Sequence, residues 1–176
     1  MLQDPQKCAR RAWSDASDGC HARALRQNGR HAGISRCQYN IRDDLNHNPF
    51  LYAGTEGLLD MLQLTITAGA NTRNTIRFGG TALIPAAERG HVAVVEALLT
   101  RTNVDVNHSN NLGWTALLKA IILSDGGLRH QKIVQLLIGH HADVIIADKD
   151  GVTPLQQARK RGFAEIARLL AQAAAH

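Results

Sequence analysis

Apolar positions along this chain come in blocks spaced close to i, i+1, i+3, i+4. They are Met61, Leu62 and Leu64; Val94, Val95, Leu98 and Leu99; Ile133, Val134, Leu136 and Leu137; and Ile166, Leu169 and Leu170. That spacing draws one apolar stripe down a helix, so each block predicts a helix buried on one side. Ahead of each block lies a shorter run opened by a capping type of residue: Asn48, Thr81, Thr115 and Thr153, separated by 33, 34 and 38 residues. Such side chains offer an oxygen to the free N–H groups of a helix start. Pro49 and Pro154 follow directly, at the first helical position, where a missing N–H costs nothing. Nine residues after the cap, Gly57, Gly90 and Gly162 permit a sharp reversal. The prediction is an all-α chain of paired short helices.

Asn or Asp with Gly beyond it then turns the chain into the next unit, as a hairpin. The units span about 41–75, 76–109, 110–147 and 148–176. A helix, turn, helix, hairpin period near 33 residues, carrying Gly151-Val-Thr-Pro-Leu-Gln-Gln-Ala158 and Ala86-Ala-Glu-Arg-Gly-His91, resembles the ankyrin repeat. The resemblance covers residues 40–174, and phrases such as Gly113-Trp-Thr-Ala-Leu are similar to those of small bacterial ankyrin proteins. It implies a solenoid that works by binding a protein.

Three details depart from the period. The third unit is about five residues longer, an insertion around Ser124–His130 at the end opposite the hairpins, with Gly126 and Gly127 supplying flexibility and Asp125 a cap. Pro85, four residues after Thr81, predicts a tightened first turn rather than a break. His141 stands where the unit prefers Gly, which predicts a positive φ with modest strain.

Composition agrees with a solenoid. The chain is 44% apolar but only 4% aromatic, so Leu, Ile, Val and Ala build the core of closely packed helices. The net charge of +5 is uneven: residues 1–40 carry seven Lys or Arg against three Asp, leaving thirteen against twelve Asp or Glu beyond. The basic surplus therefore sits outside the repeats, and no nucleic-acid stripe is expected on them. Residues 1–40 form an irregular head without repeat pattern. Two readings of the head stand: an irregular cap, or a segment translated from the wrong frame or start. On either reading the first unit's outer face is expected to fray or aggregate, since terminal repeats need polar surfaces. At the other end Arg159, Lys160, Arg161, Glu165 and Arg168 provide one.

Candidate chemistry is thin. Cys8, Cys20 and Cys37 lie in the head without C-x-x-C spacing, which predicts free thiols. The nine histidines follow no metal-ligand spacing, and no nucleophile or phosphate-loop phrase occurs, so neither cofactor nor catalysis is expected. No apolar run reaches the roughly 20 residues of a membrane span, and the first residues hold no secretory h-region. The expectation is a cytoplasmic, monomeric, non-enzymatic protein.

The family resemblance implies a binding surface of hairpin tips and first-helix ends, forming a concave face. Its tip positions here include Leu45 and His47, Arg77 and Phe78, and Leu112 and Trp114. Its first-helix positions are Thr55 and Glu56, Glu88 and Arg89, Ile122 and Leu123, and Lys160 and Arg161. Phe78, Leu112 and Trp114 are large and apolar where a solvated tip is polar, which marks partner contact. Packing between neighbouring hairpins is the competing reading for Phe78 and Trp114. An alternative role is an accessory or inhibitory subunit of one specific bacterial enzyme.

Overall fold

The computed structural model describes residues 48–175; the irregular head, Leu45 and His47 lie outside them. Eight helices follow in order: α1 Pro49–Glu56, α2 Leu59–Thr67, α3 Leu83–Glu88, α4 Val92–Arg101, α5 Ala116–Ile122, α6 Leu128–Gly139, α7 Pro154–Lys160 and α8 Ala164–Ala173. No strand occurs among the described residues. Each odd helix packs on the even helix after it. The odd helices also stack on one another in the order α1, α3, α5, α7, and the even ones as α2, α4, α6, α8. The result is a two-layered all-α solenoid, as the period predicts.

The cap residues explain the helix starts. Asn48 Oδ1 accepts from Leu51 N at 2.8 Å, and Thr115 Oγ1 from Leu118 N at 3.3 Å. Thr153 forms a reciprocal box with Gln156, whose Oε1 accepts from Thr153 N at 2.9 Å. Thr81 departs from the expectation. Its hydroxyl is buried without a partner, and α3 begins only at Leu83. Pro85 supplies the reason: lacking an N–H, it cannot close the regular turn onto the Thr81 carbonyl. Ile84 N donates to that carbonyl instead, at 3.2 Å, and so is spent before the Thr81 hydroxyl can use it. The turn tightens, as predicted, and the cap is lost with it.

The core runs between the layers and from unit to unit. Phe50, Leu51, Leu62, Leu83, Leu98, Leu118, Ile121, Ile133, Ile166 and Leu170 are all fully buried. Small residues set the spacing of the odd helices: a Cβ at Gly54 would lie 2.9 Å from Ala82 Cβ, so α1 and α3 approach closely there. At the far end, Glu165 and Arg168 pair at 2.8 Å on the exposed face of α8, and Arg159, Lys160 and Arg161 stand exposed.

The insertion in the third unit is only partly a loop, which corrects the expectation. Leu128, Arg129 and His130 form the first turn of α6, and five residues, 123–127, make the connection. Nor are its glycines slack. Ser124 is buried, donates to Ile121 O and accepts from Gly126 N, both at 3.2 Å. Asp125 accepts from Gly127 N at 2.9 Å and faces His130 Nδ1 at 3.1 Å. Those contacts, the Gly127 N–H first and His130 second, hold the Asp125 carboxyl below its ordinary pKa. Gly127, not Asp125, occupies the N-cap position of α6.

His141 takes φ 64°, the one non-Gly residue with a positive φ among those described. It closes α6 through His141 N to Ile138 O at 3.0 Å and Ala142 N to Leu137 O at 2.9 Å. Gly69 fills the matching place after α2, at φ 78°. Left-handed backbone costs an L-residue about 1–2 kcal/mol, and glycine's extra unfolded-state freedom returns about 0.4–1 of it. His141→Gly is therefore expected to stabilise the protein by about 0.5–1 kcal/mol, read as a rise of a few degrees in the thermal midpoint. An unchanged or lowered midpoint would show that the exposed imidazole contributes more than the backbone relief.

Candidate functional site

The turns between units are built alike. Ile76 N donates to Gly80 O at 2.9 Å, Asn110 N to Trp114 O at 3.1 Å and Asp148 N to Val152 O at 3.1 Å. In the later two, a side-chain carboxyl or amide oxygen ties the turn from inside. Asn110 Oδ1 accepts from Leu112 N and Trp114 N, and Asp148 Oδ1 from Asp150 N and Val152 N. The Val152 N–H is the largest influence lowering the Asp148 pKa. Ile76 has no such oxygen. Bonds also run between successive tips: Asn111 N to Phe78 O at 2.9 Å, His108 Nε2 with Gly79 O at 2.6 Å, and Lys149 Nζ to Asn111 O at 2.5 Å. The tips form one bonded row.

Along that row Phe78 is 60% exposed and Leu112 is 49% exposed. The Asn111 to Phe78 bond makes them neighbours on adjacent turns. Arg77 is exposed too, its guanidinium 5.9 Å from the Phe78 ring centroid. Trp114 differs, being half-buried with Lys119 Nζ 4.9 Å from its ring centroid. An ammonium over an indole is attracted by the ring's negative face, so Lys119 partly covers the Trp114 surface.

The first-helix charges of the first two units are engaged across the stack. Glu88 pairs with Lys119 at 3.0 Å, and Arg89 with Glu56 at 2.7 Å, each joining neighbouring odd helices. The Glu88 carbonyl also faces His130 Nε2 at 3.1 Å. A chain of contacts thus leads from Trp114 through Lys119 and Glu88 to the third-unit connection. Lys119 and His130 were not legible as members of the surface, because only stacking brings them to Glu88, from 31 and 42 residues away. For Lys119 a spacing near one period was the only available sign, and for His130 there was none. Among the described residues no group of His, Cys, Asp or Glu could hold a metal ion, and no helix is long and apolar enough to cross a membrane.

The architecture has close relatives. A family model described as ankyrin repeats, three copies, matches residues 50–148 and 108–176. Ankyrin repeat protein YahD of Escherichia coli K12 is 46% identical over 136 residues, covering 77% of this chain and 68% of that protein. A crystal structure of an ankyrin repeat domain from Acinetobacter baumannii AYE superposes with a TM-score of 0.78 at 52% identity, covering 82% of this chain and 74% of that one. EF0377, another ankyrin repeat protein of known structure, gives 0.76 at 36% identity, with 79% and 71% covered. Repeat period, caps, stacked helix pairs and these likenesses agree: the chain belongs to the ankyrin-repeat family.

Proposed function

We propose that this chain is a non-enzymatic module that binds one protein partner through its row of hairpin tips and the adjoining ends of the odd helices. Ankyrin repeats are generally protein-interaction modules, and stacked repeats present long continuous surfaces suited to the task. The observation that carries the reading here is the pair Phe78 and Leu112. Two large apolar side chains stand exposed on adjacent, mutually bonded turns, where a tip with no partner would carry polar residues. Arg77 flanks them, and the Trp114–Lys119 pair continues the row.

Rigidity supports the same reading. The tips are bonded to each other and tied from within, so little conformational freedom is lost when a partner docks. Glu88 and Arg89 contribute through their ion pairs with Lys119 and Glu56, which hold neighbouring odd helices in register beside the tips.

The test is capture of a partner by the immobilised protein, with variants as controls. Phe78→Ala is expected to weaken retention about 30-fold, as for a hot-spot aromatic worth about 2 kcal/mol, with far-UV circular dichroism unchanged. Trp114→Ala is expected to reduce both binding and thermal midpoint, because its ring is half-buried under Lys119. Retention undiminished by Phe78→Ala and Leu112→Ala would overturn the reading, as would turnover of a substrate by the purified chain. Recovery of a single stoichiometric enzyme as the partner would refine the role to that of an accessory or inhibitory subunit.

A further inference from the structure

The row of odd-helix ends changes character half-way along the stack. In the first half each of these charges has an opposite charge in a neighbouring unit: Glu56 meets Arg89, and Glu88 meets Lys119. In the third unit the matching positions are Ile122 and Leu123, and no carboxylate stands there. The fourth unit nevertheless presents Lys160 and Arg161 at those same positions, with Arg159 beside them, all exposed. No ion pair of these three to another described residue is formed. The Asp148 carboxylate feels Lys160 only at longer range, and it already accepts from Val152 N, Asp150 N and the Gln157 side chain.

Apolar surface lies against this cationic end. Leu123 is 48% exposed at the end of α5, which packs on α7. The connection that follows it touches Phe163: a Cβ at Gly126 would fall 2.5 Å from that ring. The same ring lies 6.0 Å from the Arg161 guanidinium. Leu123 thus leads through the connection, which carries the exposed Asp125 paired with His130, to Phe163 and Arg161.

We propose that this half of the face is a subsite for an acidic segment of a protein partner, one presenting Asp or Glu carboxylates to Lys160 and Arg161 beside an apolar side chain that covers Leu123. The inference rests on the protein-binding reading above and deepens it by naming the partner's chemistry. Charge complementarity selects the occupant. At the odd-helix ends the stack supplies carboxylates for its cations in the first half and none at the matching positions of the third unit, where a partner's carboxylates can take their place. Apolar Leu123 within the patch favours a peptide over a phosphate backbone. A solubilising end cap would account for the exposed cations equally well, but it requires only polarity and is indifferent to the sign of the charge. That difference is testable.

Binding is to be measured by fluorescence anisotropy on the full chain at physiological salt. The probes are a labelled peptide of repeated Glu-Leu-Gly-Ser, its Lys-Leu-Gly-Ser and Glu-Ser-Gly-Ser counterparts, and a duplex DNA oligonucleotide. Saturable binding of the Glu-Leu peptide is expected, with the other three much weaker. Lys160→Glu combined with Arg161→Glu is expected to weaken it about tenfold, and Leu123→Ser several-fold, with the thermal midpoint unchanged. Reversal of an exposed cation on the even layer, as Arg101→Glu in the last turn of α4, is expected to leave the affinity within twofold. No binding of the Glu-Leu peptide, equal binding of the Lys-Leu peptide, tighter binding of the DNA, or indifference to the double reversal would each overturn the proposal. Phe78→Ala is expected to spare this peptide while losing the captured partner. The subsite can therefore fail while the tip row stands, and the reverse.

Discussion

Ile121→Ala is expected to lower the stability of the whole array by about 2–5 kcal/mol, the range for truncating a fully buried aliphatic side chain. Ile121 is wholly inaccessible, and it lies on α5, which packs against α3 before it, α7 after it and α6 beneath it. A cavity there weakens two inter-unit interfaces at once. In a stacked array each unit is held chiefly by its nearest neighbours, so damage at a central unit also weakens the coupling between the two halves. Urea unfolding should show a lower midpoint together with a broadened or two-step transition. Leu170→Ala, also fully buried but on α8, which among the described helices packs chiefly on α6 and α7, should keep a single transition. A loss below about 1 kcal/mol for Ile121→Ala would mean that the surrounding helices close the cavity.

Gly57→Ala is expected to cost about 1.5–4 kcal/mol, from two separable sources. Gly57 has φ 77°, a left-handed backbone whose cost to an L-residue, less glycine's extra unfolded-state freedom, is about 0.5–1 kcal/mol. The space a Cβ would need is also taken: a methyl there would lie 2.6 Å from His91 Nδ1 and 2.8 Å from Cγ, against the plane of the imidazole. Forcing a methyl into a packed contact adds about 1–3 kcal/mol. One edge of that ring is packed away, its Nε2 being buried without a hydrogen-bond partner. Gly162 supplies the control, with φ 74° and nothing within 4 Å of the place a methyl would take, so Gly162→Ala should cost only the backbone share. The difference between the two variants in denaturant measures how tightly His91 locks the second unit onto the first. Adding His91→Ala to Gly57→Ala should recover part of that difference. Equal losses at Gly57 and Gly162 would show that the imidazole yields freely.

His91 illustrates how much of the structure could be read in advance. The Gly-His phrase marks it as belonging to the repeat, and the turn at Gly90 follows from that phrase. Its seat over Gly57 does not, because Gly57 belongs to the previous unit and only stacking sets the distance. Thr81 shows the limit from the other side. Its place in the period predicts a cap, yet one missing N–H at Pro85 redirects the Ile84 donor and leaves the hydroxyl without a partner. At His141 both levels agree, since a position built for a left-handed residue keeps that backbone whatever side chain occupies it.

The candidate surface divides in the same way. Phe78 and Leu112 could be singled out by type and position alone, and they stand exposed. Trp114 has the same signal and a different fate, because Lys119 arrives over its ring from the following helix. Glu88 and Arg89 look like free charges in the sequence, whereas in the stack each meets an opposite charge one unit away.

Sequence by itself determined the unit: its period, caps, reversals and the apolar stripe of each helix, because these depend on residues within a few positions of one another. Tertiary structure alone decided which side chains remain available. Pairing across units, as at Glu56 and Arg89 or Glu88 and Lys119, has its geometry set by the spacing and rotation of the stack. Those follow from the packing of many side chains at once, which no local pattern of residues encodes.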